Sequence, residues 1–360
     1  MRRPCLTTLV LALVASLAAC GGSGGSEPVQ PPAPTSGSLL LTIGGLPGDV
    51  PASVTVTGPG GFSRTVTTSA TLTDLTPGTY TVTPSRATDR GVGYEAAASN
   101  ATVTAGATAS ASAAYALRLL TRATTNRADE TTLPHVKLLY ILPSDGADRA
   151  FDTNGTIHRV VSSGQRWLAG QAGGRSLRYD AADGGLDVAF VRAPRSDATY
   201  AGYGVFIRDS LEKDLNAAGW NLPNTRLLAF YDGRHQSVCG SSAQPGVLDG
   251  NLAVLYLNGL PTSSAPCAGN AFVASPTGAP GYWEFVAQHE VFHLLGFVSP
   301  GAPNAVAGGH VGNDPTDLMY AGALPWRPAK VDVSGTNYYN PNGLASGLNN
   351  FATSPFVVAP

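Results

Sequence analysis

The sequence predicts a multidomain chain in which an all-β sandwich module precedes an α/β (α+β) domain carrying an HExxH helix. Three observations predict it. Residues 38–117 are short runs rich in Thr, Val and Ile, separated by Gly and Pro, with no helical apolar period. From residue 136 onward, apolar strands alternate with amphipathic helical segments. Within that second region, His289-Glu290-Val291-Phe292-His293 lies in an apolar stretch that Gly296 ends. The 360 residues leave room for two or three cores. A hydrophobic content of 43% against 13% charged residues excludes a disordered, highly charged chain. The net charge is −2 and the only lysines are Lys137, Lys213 and Lys330, so no nucleic acid is expected as a partner.

At the N-terminus, Arg2 and Arg3 precede an apolar run from Leu6 to Leu17 and the small residues Ala18-Ala19, the pattern of an export signal over 1–19. Leu17-Ala18-Ala19-Cys20-Gly21 resembles a bacterial lipobox. That resemblance implies that Cys20 carries lipid, becomes the first mature residue and anchors the chain to a membrane. Gly21 lacks the aspartate associated with inner-membrane retention, so the expected place is the outer membrane or cell surface, facing periplasm or exterior. Residues 20–37 read as a flexible tether of Gly, Ser, Pro and Gln. Cys5 leaves with the signal and Cys20 goes to the lipid. Cys239 and Cys267 remain, a pair that an oxidising compartment would join as a disulfide.

The β-module is assigned to 38–117, with about seven short strands expected. Leu75-Thr76-Pro77-Gly78-Thr79-Tyr80-Thr81-Val82 places a Pro-Gly turn directly before an alternating strand. This run resembles the hairpin of small immunoglobulin-like or transthyretin-like modules, which implies a spacer or adhesion role. A polar linker follows over 118–135, and the second domain takes 136–360. There Val136–Leu142 is an apolar strand, and Thr156–Gln171 spaces Ile157, Val160, Val161, Trp167 and Leu168 on one helical face with Thr156 as N-cap. Leu186–Val191 is strand-like. Ile207, Leu211, Leu215 and Ala218 mark a second amphipathic helix. Leu227–Tyr231 and Leu252–Leu257 are further strands, and a helix runs from about Trp283 to Phe297.

On a helix, His289 and His293 share a face one turn apart, so both imidazoles reach one metal ion. Glu290 sits about 100° round the axis, close enough to touch a water at that metal without being a ligand. Three of the six histidines fall between 289 and 310, and Met319 is the only methionine after Met1. His289–Gly296, followed by Asp317-Leu318-Met319-Tyr320, resembles the zincin metallopeptidases and among them the metzincins. The resemblance implies a Zn2+ cofactor, a turn at Met319 beneath the metal, a protein or peptide substrate, and a strand (252–257) lying along the cleft. It departs at one position: the family's third ligand falls six residues after the second histidine, which here is Ser299. His310 is the expected third ligand, through an inserted loop, with Asp314 and Asp317 as competitors. Asp317 also reads as a turn former or as the partner of a ligand histidine.

In this scheme zinc polarises the scissile carbonyl and Glu290 carries the proton from water to the leaving amine. Tyr320, ahead of Tyr338 and Tyr339, is the candidate to steady the oxyanion. His135, His158 and His235 read as solvated or structural, and Asp148–Gly155 as a turn. The expected function is a surface-anchored zinc metallopeptidase. The alternative is a surface binding or adhesion lipoprotein with a structural or degenerate zinc site, which the serine at 299 favours and an intact Glu290 disfavours.

Overall fold

The computed structural model describes residues 33–260, 267, 280–321, 326 and 328–360. The leader, Cys20 and most of the tether lie outside the described residues. The chain is multidomain and rich in β-sheet with a few helices, and none of its described helices is long and apolar enough to cross a membrane.

The first strands are β1 (Gly37–Gly44), β2 (Val54–Gly58), β3 (Phe62–Val66), β4 (Ala70–Leu75), β5 (Gly78–Pro84), β6 (Ala87–Asp89), β7 (Val92–Glu95), β8 (Ser99–Val103), β9 (Thr108–Ala114) and β10 (Ala116–Leu117). They form a sheet of order β3-β2-β5-β8, a second of order β4-β1-β9, and a small third of order β10-β7-β6. Alternation does the work in the first two. Leu39 and Leu41 of β1, Val54 and Val56 of β2, and Tyr80 and Val82 of β5 enter one core, and Leu40, Thr55 and Thr81 between them face outward.

The second region opens with β11 (His135–Leu142) and α1 (Thr156–Gln171). Two short pairs follow, β12 (Ser176–Leu177) with the late β21 (Val357–Val358), and β13 (Ala181–Ala182) with β14 (Gly185–Leu186). Then come β15 (Val188–Arg192), α2 (Asp197–Ala201), α3 (Ile207–Ala217), β16 (Thr225–Tyr231), β17 (Gly240–Gln244), β18 (Leu248–Tyr256), α4 (Tyr282–Leu294), β19 (Ala305–Val306) and β20 (His310–Val311). The main sheet has the order β15-β11-β16-β18-β17. Its first four strands are parallel and β17 is antiparallel at the edge. Such a sheet is covered on both faces, which is why all eight residues of β11 are buried. Leu139 and Ile141 pack with Leu211 and Leu215 of α3, whereas Leu138 and Tyr140 share a core with α1 and α4.

Two readings need correction. Thr156 is the first helical residue of α1, not its N-cap: Gly155 takes the cap position with φ 84°, and Asn154 Oδ1 accepts the Thr156 N–H at 2.9 Å. The strand at the cleft is β17, not 252–257: Gly240, Ser241, Ser242 and Gln244 line it, β18 is paired on both sides, and β17 is the edge of the sheet next to it.

The β6–β7 hairpin lies on α1. The Tyr94 and Ser162 hydroxyls are 3.1 Å apart in a buried contact, and Arg166 bridges Asp89 (2.9 Å) and Asp49 (2.6 Å). The module and α1 therefore share a polar, partly buried seam, so a chain beginning at residue 119 exposes one side of α1. Its melting temperature is expected to fall by more than about 5 °C relative to residues 33–360, since each ~1 kcal/mol lost costs about 2–4 °C at this size. Calorimetry of the two chains checks this, and equal melting temperatures would refute it.

Candidate metal centre

Helix α4 begins without a side-chain cap, after Gly281, and ends at Gly296, whose φ of 73° suits glycine and whose missing Cβ leaves room for Asn349 Nδ2. It is buried on nearly every side between β17, β18 and α1. One turn apart on it, His289 and His293 bring their Nε2 atoms to 3.0 Å. The hairpin β19–β20 supplies His310, whose Nε2 is 3.1 Å from His293 Nε2. The three rings thus gather ligand atoms within 4.8 Å of one another.

The protons decide what such a gathering holds. His289 Nδ1 donates to Leu318 O at 2.7 Å and His310 Nδ1 donates to Ala307 O at 3.2 Å, so in the neutral rings both Nε2 atoms carry lone pairs. His293 Nε2 stands between them and could offer one proton to only one neighbour, and its buried Nδ1 has no hydrogen-bond partner among the described residues. Burial pushes His289 down to about 3 and His293 and His310 below their ordinary value, aided at His289 and His293 by the neighbouring imidazoles. Three neutral imidazoles aiming lone pairs at one point repel one another, and a divalent cation relieves that. Nitrogens around a tetrahedral zinc at about 2.0–2.1 Å stand roughly 3.3 Å apart, close to the spacing found here. The residues fit the ion.

The turn at 317–320 supports two of these rings. Leu318 O holds His289, and Met319 O accepts the Val311 N–H at 2.9 Å, fixing the strand that carries His310. The Met319 side chain is wholly buried. Asp317 shapes the turn: its carboxylate accepts from Met319 N (2.8 Å), Val333 N (2.8 Å) and the Tyr338 hydroxyl (2.6 Å). Asp314 is half-buried and caps Thr316. Of the three groups considered for the third position, the structure brings His310 to the pair and occupies both aspartates elsewhere. Tyr320 lines the cleft. Tyr338 is committed to Asp317, and Tyr339 packs against Phe351.

The cleft beside the histidines has a volume of about 470 Å3 and is bounded by β17, α4, Tyr320 and Trp326. Glu290 lines it, 7% exposed, and burial raises its carboxyl to about 8 without an ion present. Its side chain lies against the backbone of β17: a Cβ at Gly240 would sit 2.7 Å from Glu290 Cγ and Cδ. Gly240 directly follows Cys239, whose disulfide with Cys267 is present. Trp283 Nε1 donates to Cys267 O at 2.8 Å, which ties that bridge to the first turn of α4. Sequence reasoning missed Gly240 and also Trp326, whose ring centre is 5.3 Å from that of His289. Neither residue sits in a local pattern that would reveal it.

A second group, Asp129, His135 and Asp180, has a different proton arrangement. His135 Nδ1 donates to Leu133 O (2.9 Å), and Nε2 faces Thr225 Oγ1 (3.3 Å), whose own proton goes to Pro223 O (2.9 Å). Asp129 Oδ2 is 3.7 Å from the same Nε2. Both ring nitrogens thus face oxygen acceptors of the chain, unlike the three Nε2 atoms that converge on one another in the histidine group. His158 and His235 are also buried, so all three outlying histidines are structural and none is solvated. Asp148 and Asp152 both bind Arg122, consistent with a turn there.

No protein-family model matches the chain, and no curated protein does. Among solved structures the chain is similar to GBS52, the minor pilin of the gram-positive pathogen Streptococcus agalactiae, at 12% identity and a TM-score of 0.21. That likeness covers 26% of this chain and 50% of the pilin chain, so the chain spans about half the length of that protein.

Proposed function

We propose that the chain is a zinc-dependent metallopeptidase of metzincin-like type, held at the outer membrane or cell surface by lipid at Cys20. The single observation that carries this reading is the convergence of three Nε2 lone pairs from His289, His293 and His310 beside a carboxylate, Glu290, that faces an open cleft. Zinc held by these three rings would supply a Lewis acid that polarises a carbonyl and makes water acidic near neutral pH.

The remaining chemistry belongs to the chain. Glu290 takes the proton of the attacking water, a role that its place on the cleft wall beside the histidines suits, and returns it to the departing amine. The Tyr320 hydroxyl, at the cleft wall, steadies the developing oxyanion. The free edge of β17 pairs with an extended substrate. Among the described lining residues no lysine, arginine or aspartate occurs, and Glu290 is the only acid.

The second reading, a binding lipoprotein with a structural zinc site, is favoured by the β-module and by Ser299 at the family's ligand position. A structural site closes with a fourth protein ligand, and among the described residues the histidine group has three members. One experiment tests the peptidase reading. The full chain, stripped and reloaded, is expected to hold one zinc and cleave casein. Glu290→Gln is expected to keep the zinc and lose about 10²–10⁴-fold in rate. A chain that takes up no zinc, or a variant as active as the parent, would overturn it.

A further inference from the structure

Resting on the peptidase reading, we propose that the segment between His293 and His310 builds a recess that holds a bulky apolar side chain of the substrate, on the amino side of the cleaved bond. This segment is the chain's departure from the family pattern, and it does more than displace a ligand. Val298 turns with φ 60°, a left-handed conformation that a β-branched residue adopts only under strain, and its side chain is wholly buried. The chain then folds back through β19 and β20. Between this hairpin and the end of β17 lies a recess of about 310 Å3, walled by Val247, Val298, Pro300, Ala305 and Val306. It adjoins the main cleft: Gln244, Val247 and Gly308 line both.

The occupant follows from chemistry and direction. Among the described residues that line the recess none is charged, so a charged guest would lose hydration without compensation from them. Val247 and Val306 are 56% and 43% exposed on the same recess, apolar surface that an aliphatic or aromatic side chain would cover. The recess adjoins Gln244, the last residue of β17. A peptide antiparallel to β17 has its amino-terminal part at that end, and its side chains alternate, so one residue before the cleaved bond points into the recess.

The test sequences the new carboxyl-terminal ends that the zinc-loaded full chain releases from a mixed peptide library. A bulky apolar residue is expected at one fixed position before the cut. Val247→Asp, at an exposed site with little fold risk, is expected to lower that preference about tenfold or more with zinc content unchanged. Val306→Asp is expected to do the same from the opposite wall. Cleavage without apolar preference, or a preference that both variants leave intact, would overturn the recess alone. A zinc-loaded chain that cleaves no peptide would overturn the peptidase reading and this inference with it.

Discussion

In the His293→Ala variant, metal affinity is expected to fall by about 10²–10⁴-fold. The estimate follows from ligand count. Apparent zinc affinities in protein sites correspond to about 10–16 kcal/mol, and losing one of three comparable ligands removes roughly a third. His293 is the choice because its Nε2 is the atom that lies close to both other ring nitrogens. Its ring is also the one with an unpaired, buried Nδ1, so removing it breaks no hydrogen bond to the surrounding chain. Competition against a chromophoric chelator gives the affinity, and circular dichroism reports the fold. A variant that binds zinc like the parent would mean that the three rings are not a metal site.

Gly240→Ala is expected to lower hydrolysis about 10²–10³-fold while leaving zinc content unchanged. The added Cβ would come within 2.7 Å of Glu290 Cγ and Cδ, closer than carbon atoms approach one another. Either the carboxylate or the edge strand must move. Both serve catalysis in the proposed scheme, and general acid–base groups tolerate little displacement. The three atoms nearest to that Cβ all belong to Glu290, so zinc binding separates this effect from collapse of the site. Measuring kcat and KM together is informative: a loss in kcat alone points to Glu290, and a rise in KM points to β17. A variant with parental kinetics would mean that Glu290 is not held by this contact.

The helix, its two histidines and the flanking glutamate were legible because they depend on local spacing along a helix. His310 was legible only through ligand preference, since nothing local says that a hairpin returns it to α4. The turn-forming role of Asp317 could be read from its place before Leu318-Met319, but its partner Tyr338 is 21 residues away. The edge strand β17 was invisible. Its residues, Gly240-Ser241-Ser242-Ala243-Gln244, have neither alternation nor β-propensity, and its extended form comes from pairing with β18. The apolar run 252–257 drew the cleft assignment because strong β-formers mark the buried interior of a sheet, whereas an edge that accepts a partner can be polar. Likewise Ser162, Ser163 and Gln165 sit among the buried residues of α1, contrary to a simple amphipathic reading. Tyr94 meets Ser162, and Gln165 bonds to Arg90 O (3.3 Å) and Leu177 O (2.6 Å).

That shared helix has a consequence for how such a chain can be inherited or rebuilt. On one side α1 meets β7; on the other, Gly164 leaves only enough room for Gln288 of α4, since a Cβ there would lie 2.8 Å from its amide nitrogen. A recombination point at residue 118, where composition changes, would part Tyr94 from Ser162 and Asp89 from Arg166. A chimera that borrows the histidine region must then carry the preceding strands with it or have the outer side of α1 redesigned for water. A cut at that junction is disfavoured by these contacts, which makes the length from β1 to β21 the unit to move when the site is rebuilt.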